Sequence, residues 1–390
     1  MTSITKNRIE SLDFLKGLVI VIMAIDHVRD YFHYSSYFFD PTDPTLTNTP
    51  LFFTRFITNF CAPAFSFLAG LSAFMVGKRK TQNELSIFLL KRGLWLIFAE
   101  LVIMNFGWCF DITFKTVGFQ VIWILGISMI FLAGLIHLPK KVILIFSCLL
   151  IFGHNLLDNI HFDNSILWAF LHERKAFLTT PDHVFRVGYS IIPWVAVMSL
   201  GYYFGSFYDK TFEPLKRKKL FNLIGIASIL FFLILRGINI YGNLLPWKDY
   251  GNFSQNLFSF LNLTKYPPSL SFLLVTLGGA FLFLANSENL KGKVVNFFCM
   301  FGRVPFFFYI IHIYLIHLLA LLTAEFSGFG WQKMILPALP FRVEALKGFG
   351  FNLFIVYLIW ILVIAIHYPL CKKFDTYKQN NKDKWWLSYF

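Results

Sequence analysis

The chain has 390 residues, 57% of them hydrophobic and only 14% charged, with a mean hydropathy of +0.61. Soluble domains carry roughly 25% charged residues, so this apolar excess excludes a water-soluble globule and requires much of the surface to face lipid. The net charge of +14 does not point to nucleic acid, because the positive residues lie in short clusters between apolar runs, a pattern that orients membrane proteins.

About 20 apolar residues cross a bilayer as a helix. On that measure the sequence predicts an all-α, single-domain bundle of about ten transmembrane helices: about 12–33, 51–77, 85–107, 117–138, 141–157, 185–207, 219–241, 266–286, 297–322 and 349–371. The first carries Asp26, His27, Arg29 and Asp30 and lacks a small-residue cleavage site, so it reads as a retained span rather than a signal peptide. Lys6 and Arg8, residues 78–80 with Lys91 and Arg92, Lys140 and Lys141, the basic run 210–219, Lys291 and Lys293, and the lysine-rich tail all fall on one side. The other side holds fewer positive residues, which places both termini in the cytoplasm. Three outer connections, 158–184, 242–265 and 323–348, are too polar to span yet rich in Trp, Phe and Leu, and are expected to cap a cavity. The five cysteines are scattered and form neither a disulfide framework nor a metal-binding spacing.

Ionisable groups inside a bilayer are costly and invite a functional reading. The densest set is Asp26, His27, Arg29, Asp30 and His33 at the outer end of the first span, where Asp26 and Asp30 share a helix face. Arg55 and Asn59 of the second span and Asn105 of the third reach a similar depth, with Glu100 nearer mid-membrane. These groups are read either as a salt-bridge network locking three helices or as the surroundings of a catalytic histidine. His154, Asp158 and His161 fall at i, i+4 and i+7, a set that suits zinc, acceptor binding or an interfacial cap; His154 and Asp158 stand as acceptor-binding candidates beside the cap reading, and no metal is expected. Lys265, beside Pro267 and Pro268, is placed to face an acceptor in the outer cavity or to snorkel. In the ninth span, Arg303 lies at the cytoplasmic end, with Tyr309, His312 and His317 further in.

Residues 8–33 (RIESLDFLKGLVIVIMAIDHVRDYFH) resemble the opening of the bacterial family related to the heparan-alpha-glucosaminide N-acetyltransferase catalytic domain. The resemblance continues through FCAPAFSFLAGLSAF (60–74), LLKRGLWLIFAELVIMNFGW (89–108), GHNLLD (153–158), YSIIPWVAVMSLGYYFG (189–205), TKYPPSL (264–270) and FGRVPFFFYIIHIYLIH (301–317), and so covers most of the chain. It implies a transmembrane acyltransferase with a ten-span core. In the wider superfamily an arginine and a histidine in the first span are separated by ten residues. Here Lys16 and His27 have that spacing, with lysine where arginine is usual. The resemblance also implies a catalytic histidine just beyond the first span, for which His33 is the nearest candidate, so His27 and His33 both stand.

Together these readings predict transfer of an acyl group, most simply acetyl, from cytoplasmic acyl-CoA to a hydroxyl or amine of an extracytoplasmic sugar or glycan. His27 or His33 would act as base or be transiently acylated, with Asp26 or Asp30 as orienting carboxylate. Arg29, Arg55, Asn59, Glu100 and Asn105 would support the site or its oxyanion. Lys16, Lys91, Arg92, Arg303, Tyr309 and His312 would receive acyl-CoA, a cosubstrate rather than a resident cofactor. The expected setting is a bacterial inner membrane, with a homodimer left open. The competing reading is a transporter or flippase without acyl transfer, although no internal repeat supports it.

Overall fold

Backbone groups in lipid must be satisfied within the segment, and the long apolar runs accordingly fold as helices. The computed structural model describes residues 9–389 apart from Pro181, Phe341 and Arg342. Lys6 and Arg8, counted above among the positive residues, lie outside the described residues. The chain runs through α1 (Glu10–Phe32), α2 (Thr49–Ile57), α3 (Cys61–Gly77), α4 (Gln82–Phe98), α5 (Asn105–Cys109), β1 (Thr116–Phe119), α6 (Val121–Leu135), α7 (Lys140–Gly153) and α8 (Ile166–Leu171). It continues with β2 (Lys175–Thr180), β3 (His183–Val187), α9 (Ile191–Gly205), α10 (Pro214–Ile238), α11 (Phe253–Leu261), α12 (Leu270–Ser287), α13 (Lys293–Arg303), α14 (Pro305–Phe326) and α15 (Leu353–Asn380).

Among the described residues, seven helical stretches are long and apolar enough to cross a membrane, the first being α2 and α3 read as one span, Thr49–Gly77. The polar α1, the shorter α6 and the α4–α5 unit, which is joined by a π-helical turn at Ala99–Met104, take the places of the other three expected spans. The protein is therefore an all-α membrane bundle. Leu223, Leu230 and Ile234 of α10 and Phe354 and Ile361 of α15 face outward, as lipid contact requires.

Several boundaries differ from expectation, the last helix running on to Asn380 and the seventh span starting at Pro214. The fourth and sixth spans start later, because residues 116–119 and 183–187 are strands. The ninth is broken at Val304, and α14 restarts at Pro305, whose missing N–H costs nothing in a first helical turn.

Two helix crossings depend on glycine. A Cβ on Gly17 of α1 would lie 1.7 Å from the Phe298 carbonyl oxygen of α13, and one on Gly302 would lie 1.9 Å from that of Asp13. Gly70 of α3 and Gly201 of α9 interlock in the same way, through Met198 and Phe67. Such small-residue contacts let backbones approach where lipid offers no hydrophobic drive for helix association.

The outer connections carry the structure that covers the bundle. Strands β1, β3 and β2 form one sheet in that order, β1 and β3 parallel and β2 and β3 antiparallel. Arg186 of β3 lies opposite Gly118 of β1 and Ala176 of β2. All three long connections contribute to the wall of one cavity, through Arg174, Lys265 and Leu339.

Candidate active site

The outer end of α1 is held by an ion network. Arg29, only 4% exposed, has Nη1 2.7 Å from Asp26 Oδ1 and donates from Nη2 to Asp30 Oδ1 at 2.7 Å. Arg55 of α2 lies 3.5 Å from Asp26 Oδ2 and donates to Thr58 Oγ1 and to Asn59 Oδ1. Both carboxylates thus serve the arginines, and neither is hydrogen-bonded to His27.

The partner of His27 is His312 of α14. His27 Nδ1 lies 2.7 Å from His312 Nε2, and the rings stack with centroids 5.0 Å apart. His312 Nδ1 lies 3.1 Å from the Phe308 carbonyl oxygen, which can only accept. In the neutral pair, His312 therefore donates from Nδ1 and accepts at Nε2, and His27 donates from Nδ1. The lone pair of His27 is left on Nε2, which makes no hydrogen bond among the described residues. The edges of Trp108 and Tyr309 pack against the His27 ring, with centroids 4.9 and 6.2 Å away.

His27, Asp26, Arg29, Asp30 and Arg55 line an outer cavity of about 430 Å³, together with Arg174, Arg186, Lys265, Tyr266 and Tyr309. Arg174 stacks over the Tyr266 ring at 4.7 Å. Among the described residues, Arg174, Arg186 and Lys265 make no ion pair, Glu173 being paired with His161 and Lys175 instead, and the Arg186 Nε is buried without a hydrogen-bond partner. Burial, and then the charge of Arg174, push the Arg186 guanidinium below its ordinary value.

A second cavity of about 290 Å³ opens among α1, α3, α4, α6 and α14. Its wall is largely apolar, including Ile20, Met23, Leu89, Leu96 and Met129, and its basic lining residues are Lys16, Arg92, Arg303 and Lys378. Lys16 donates to Ser72 Oγ at 2.9 Å, and Arg303 Nε donates to Asp375 Oδ2 at 2.7 Å. The two cavities share two lining residues, Val121 and Tyr309.

One family profile, described as heparan-alpha-glucosaminide N-acetyltransferase, catalytic, matches residues 8–240, more than half of the chain. The chain belongs to this family. It is thus an integral membrane protein of an acetyltransferase family. No curated protein matches it. The family match includes His27, its ion network and the outer arginines, whereas Lys265, Arg303, Tyr309 and His312 lie beyond it.

The remaining expected site residues lie elsewhere. The buried His33 ring bonds Ser35 Oγ at 2.6 Å and accepts from Ser35 N, capping a short 3-10 turn outside both cavities. Glu100 accepts from the backbone N–H groups of Ile122 and Trp123, where its carboxylate caps the start of α6. Asn105 pairs with Gly118 N and O, tying β1 to the π-helical turn. Lys91 is exposed and lines neither cavity. His154 and Asp158 sit with His172, away from the outer cavity, while the exposed His161 pairs with Glu173. His312 supports His27 instead of lining the basic groove.

Sequence reading missed Trp108, Arg174, Arg186, Tyr189 and Tyr266 as cavity residues. Trp108 lies one helical turn beyond Asn105, a weak signal. Arg174 and Arg186 reach the wall through the sheet and the outer connection, for which the sequence offers no periodic pattern.

Proposed function

We propose that the protein transfers an acyl group, most simply acetyl, from cytoplasmic acyl-CoA to a hydroxyl or amine of an extracytoplasmic sugar. The observation that carries this reading is the meeting of a basic-lined apolar groove and a polar cavity at Tyr309 and Val121, with His27 beside the junction. Lys16, Arg92 and Arg303 suit the phosphates of CoA, and the apolar stretch between them and Tyr309 suits its pantetheine arm.

In the transfer step, His27 Nε2 takes the proton of the acceptor as its oxygen or nitrogen attacks the thioester carbonyl carbon. The tetrahedral intermediate collapses with cleavage of the C–S bond, and the imidazolium returns the proton to the departing CoA thiolate. The Nδ1–H of His27 stays directed at His312, which holds the ring in the working tautomer. Tyr309 offers its hydroxyl to the developing oxyanion. Arg174, Arg186 and Lys265 favour an acceptor that carries an anionic group, and a bacterial inner membrane is the setting that fits the charge asymmetry.

The test is acetyl-CoA binding and turnover by detergent-purified protein beside His27→Ala. Thermal protection by CoA, with thioester loss that disappears in the variant, supports the reading. Absence of CoA protection in the wild type would overturn it and favour transport without chemistry.

A further inference from the structure

A second cluster of ligating side chains lies at the outer end of α7, clear of the outer cavity. His154 and Asp158 follow that helix, and His172 caps the end of α8. One ligand atom from each of the three lies within 4.8 Å of the others. His154 and His172 are each 2% exposed. Both ring nitrogens of His154 are buried without a hydrogen-bond partner, as is Nδ1 of His172. A buried imidazole with neither nitrogen satisfied needs a partner, and a bound ion is one of the few that can supply it.

The surroundings are already arranged as a metal site requires. His172 Nε2 lies 3.0 Å from Asp158 Oδ1. Asn155 Nδ2 donates to Asp158 Oδ2 at 2.7 Å, and Asn155 Oδ1 accepts from the backbone of Leu270 at 2.8 Å. The carboxylate is therefore oriented by a residue that is itself anchored to α12, the kind of outer-shell support that fixes ligand geometry.

The geometry points to a divalent transition-metal site, zinc foremost, formed by His154, Asp158 and His172. Two imidazoles and one carboxylate suit zinc with a fourth position left for water. A modest contraction from the present spacing brings the three atoms to the separations of a tetrahedral site. The ion ties α7, α8 and the start of α12 together. Arg174, two residues after His172, stacks on Tyr266 at the cavity wall, so the same tie steadies that wall.

The sequence spacing suggested His161 as the third ligand. In the structure that residue is exposed and bonded to Glu173 at 2.7 Å, and His172 takes its place.

The experiment is elemental analysis of tag-free, detergent-purified protein, followed by chelation and titration with zinc and with cobalt(II). The expected result is close to one equivalent of metal, a lower Tm after chelation that zinc restores, and a cobalt absorption spectrum of nitrogen and oxygen ligation. His154→Gln and Asp158→Asn should each lose the metal while eluting as folded protein, and His161→Ala should keep it. Wild type that holds no metal and responds to neither ion overturns the proposal, leaving buried water as the partner of His154. Metal retained in His154→Gln/His172→Gln overturns it as well. None of these readouts depends on acyl transfer.

Discussion

His27 Nδ1 and His312 Nε2 stand 2.7 Å apart although 285 positions separate them in the chain. The bond joins the first helix of the bundle to a helix beyond the region matched by the family profile. Because His312 Nδ1 is committed to the Phe308 carbonyl, His312 fixes the tautomer of His27 as well as its orientation. Replacing His312 with Leu should lower kcat by about 10- to 100-fold, the usual effect of removing a group that orients a working imidazole. KM for acyl-CoA should change little. Glutamine, whose Oε1 can accept from His27 Nδ1, should recover part of the loss. Equal kcat in both variants and the wild type would remove His312 from the mechanism.

The partition at Val121 and Tyr309 can be probed by size. Val121→Trp should block transfer while leaving CoA able to raise the Tm, since the basic groove lies on one side of the block. Tyr309→Phe keeps the bulk and removes the hydroxyl. It should reduce kcat by about 100-fold or more if the phenol serves the oxyanion. Steady-state turnover and thermal shifts measured on the same preparations separate the two effects.

The arginine at the centre of the ion network has a different signature. Arg29→Leu leaves Asp26 with the more distant Arg55 and takes from Asp30 the arginine it is bonded to. Breaking such a buried pair costs about 3 kcal/mol or more. The triple variant Asp26→Asn/Arg29→Leu/Asp30→Asn removes the orphaned charges and should recover much of that stability. Thermal unfolding in detergent distinguishes the two, and non-additivity is the expected result.

Gly17→Leu should prevent the α1–α13 crossing, because its first side-chain carbon already overlaps the Phe298 carbonyl at 1.7 Å. The protein is expected to be lost from the monodisperse peak in size-exclusion chromatography. Gly134→Ala, where no atom lies within 4 Å of the added carbon, is the matched control and should behave as wild type.

The unpaired cations of the outer wall predict selectivity. Arg186→Gln should raise KM for an acceptor bearing a carboxylate or phosphate more than for a neutral sugar. That preference should weaken with added salt in the wild type, to the extent that the cavity is open to solvent.

Much of the bundle was legible because hydropathy and charge asymmetry are long-range, redundant signals. Each span announces itself over some 20 residues, and one misplaced boundary leaves the others intact. The strands at 116–119 and 183–187 were hidden because their residues are apolar enough to read as helix ends. At the site, the cluster around His27 was visible as intramembrane charge, including the network of Asp26, Arg29 and Arg55. The His27–His312 bond was not, because nothing in either local sequence encodes a contact between α1 and α14. Glu100 and His33 show the converse. Both looked functional by residue type, and each is occupied with backbone or local hydrogen bonds that only the fold reveals.

The narrow junction at Tyr309 and Val121 has an electrical consequence. Cavities entering a bilayer from both faces thin its insulation, and each elementary charge leaking through would dissipate about 2.3 kcal/mol per 100 mV of membrane potential. Two side chains, one aromatic and one branched aliphatic, line both the polar basin around His27 and the groove that faces the basic end. On the proposed reading, a small uncharged acyl group is handed over at that point, and the bulk of the two side chains opposes a continuous water column for ions. An enzyme so built would, on that reading, modify a molecule on one side of the membrane while the coenzyme and the ion gradient stay on their own sides.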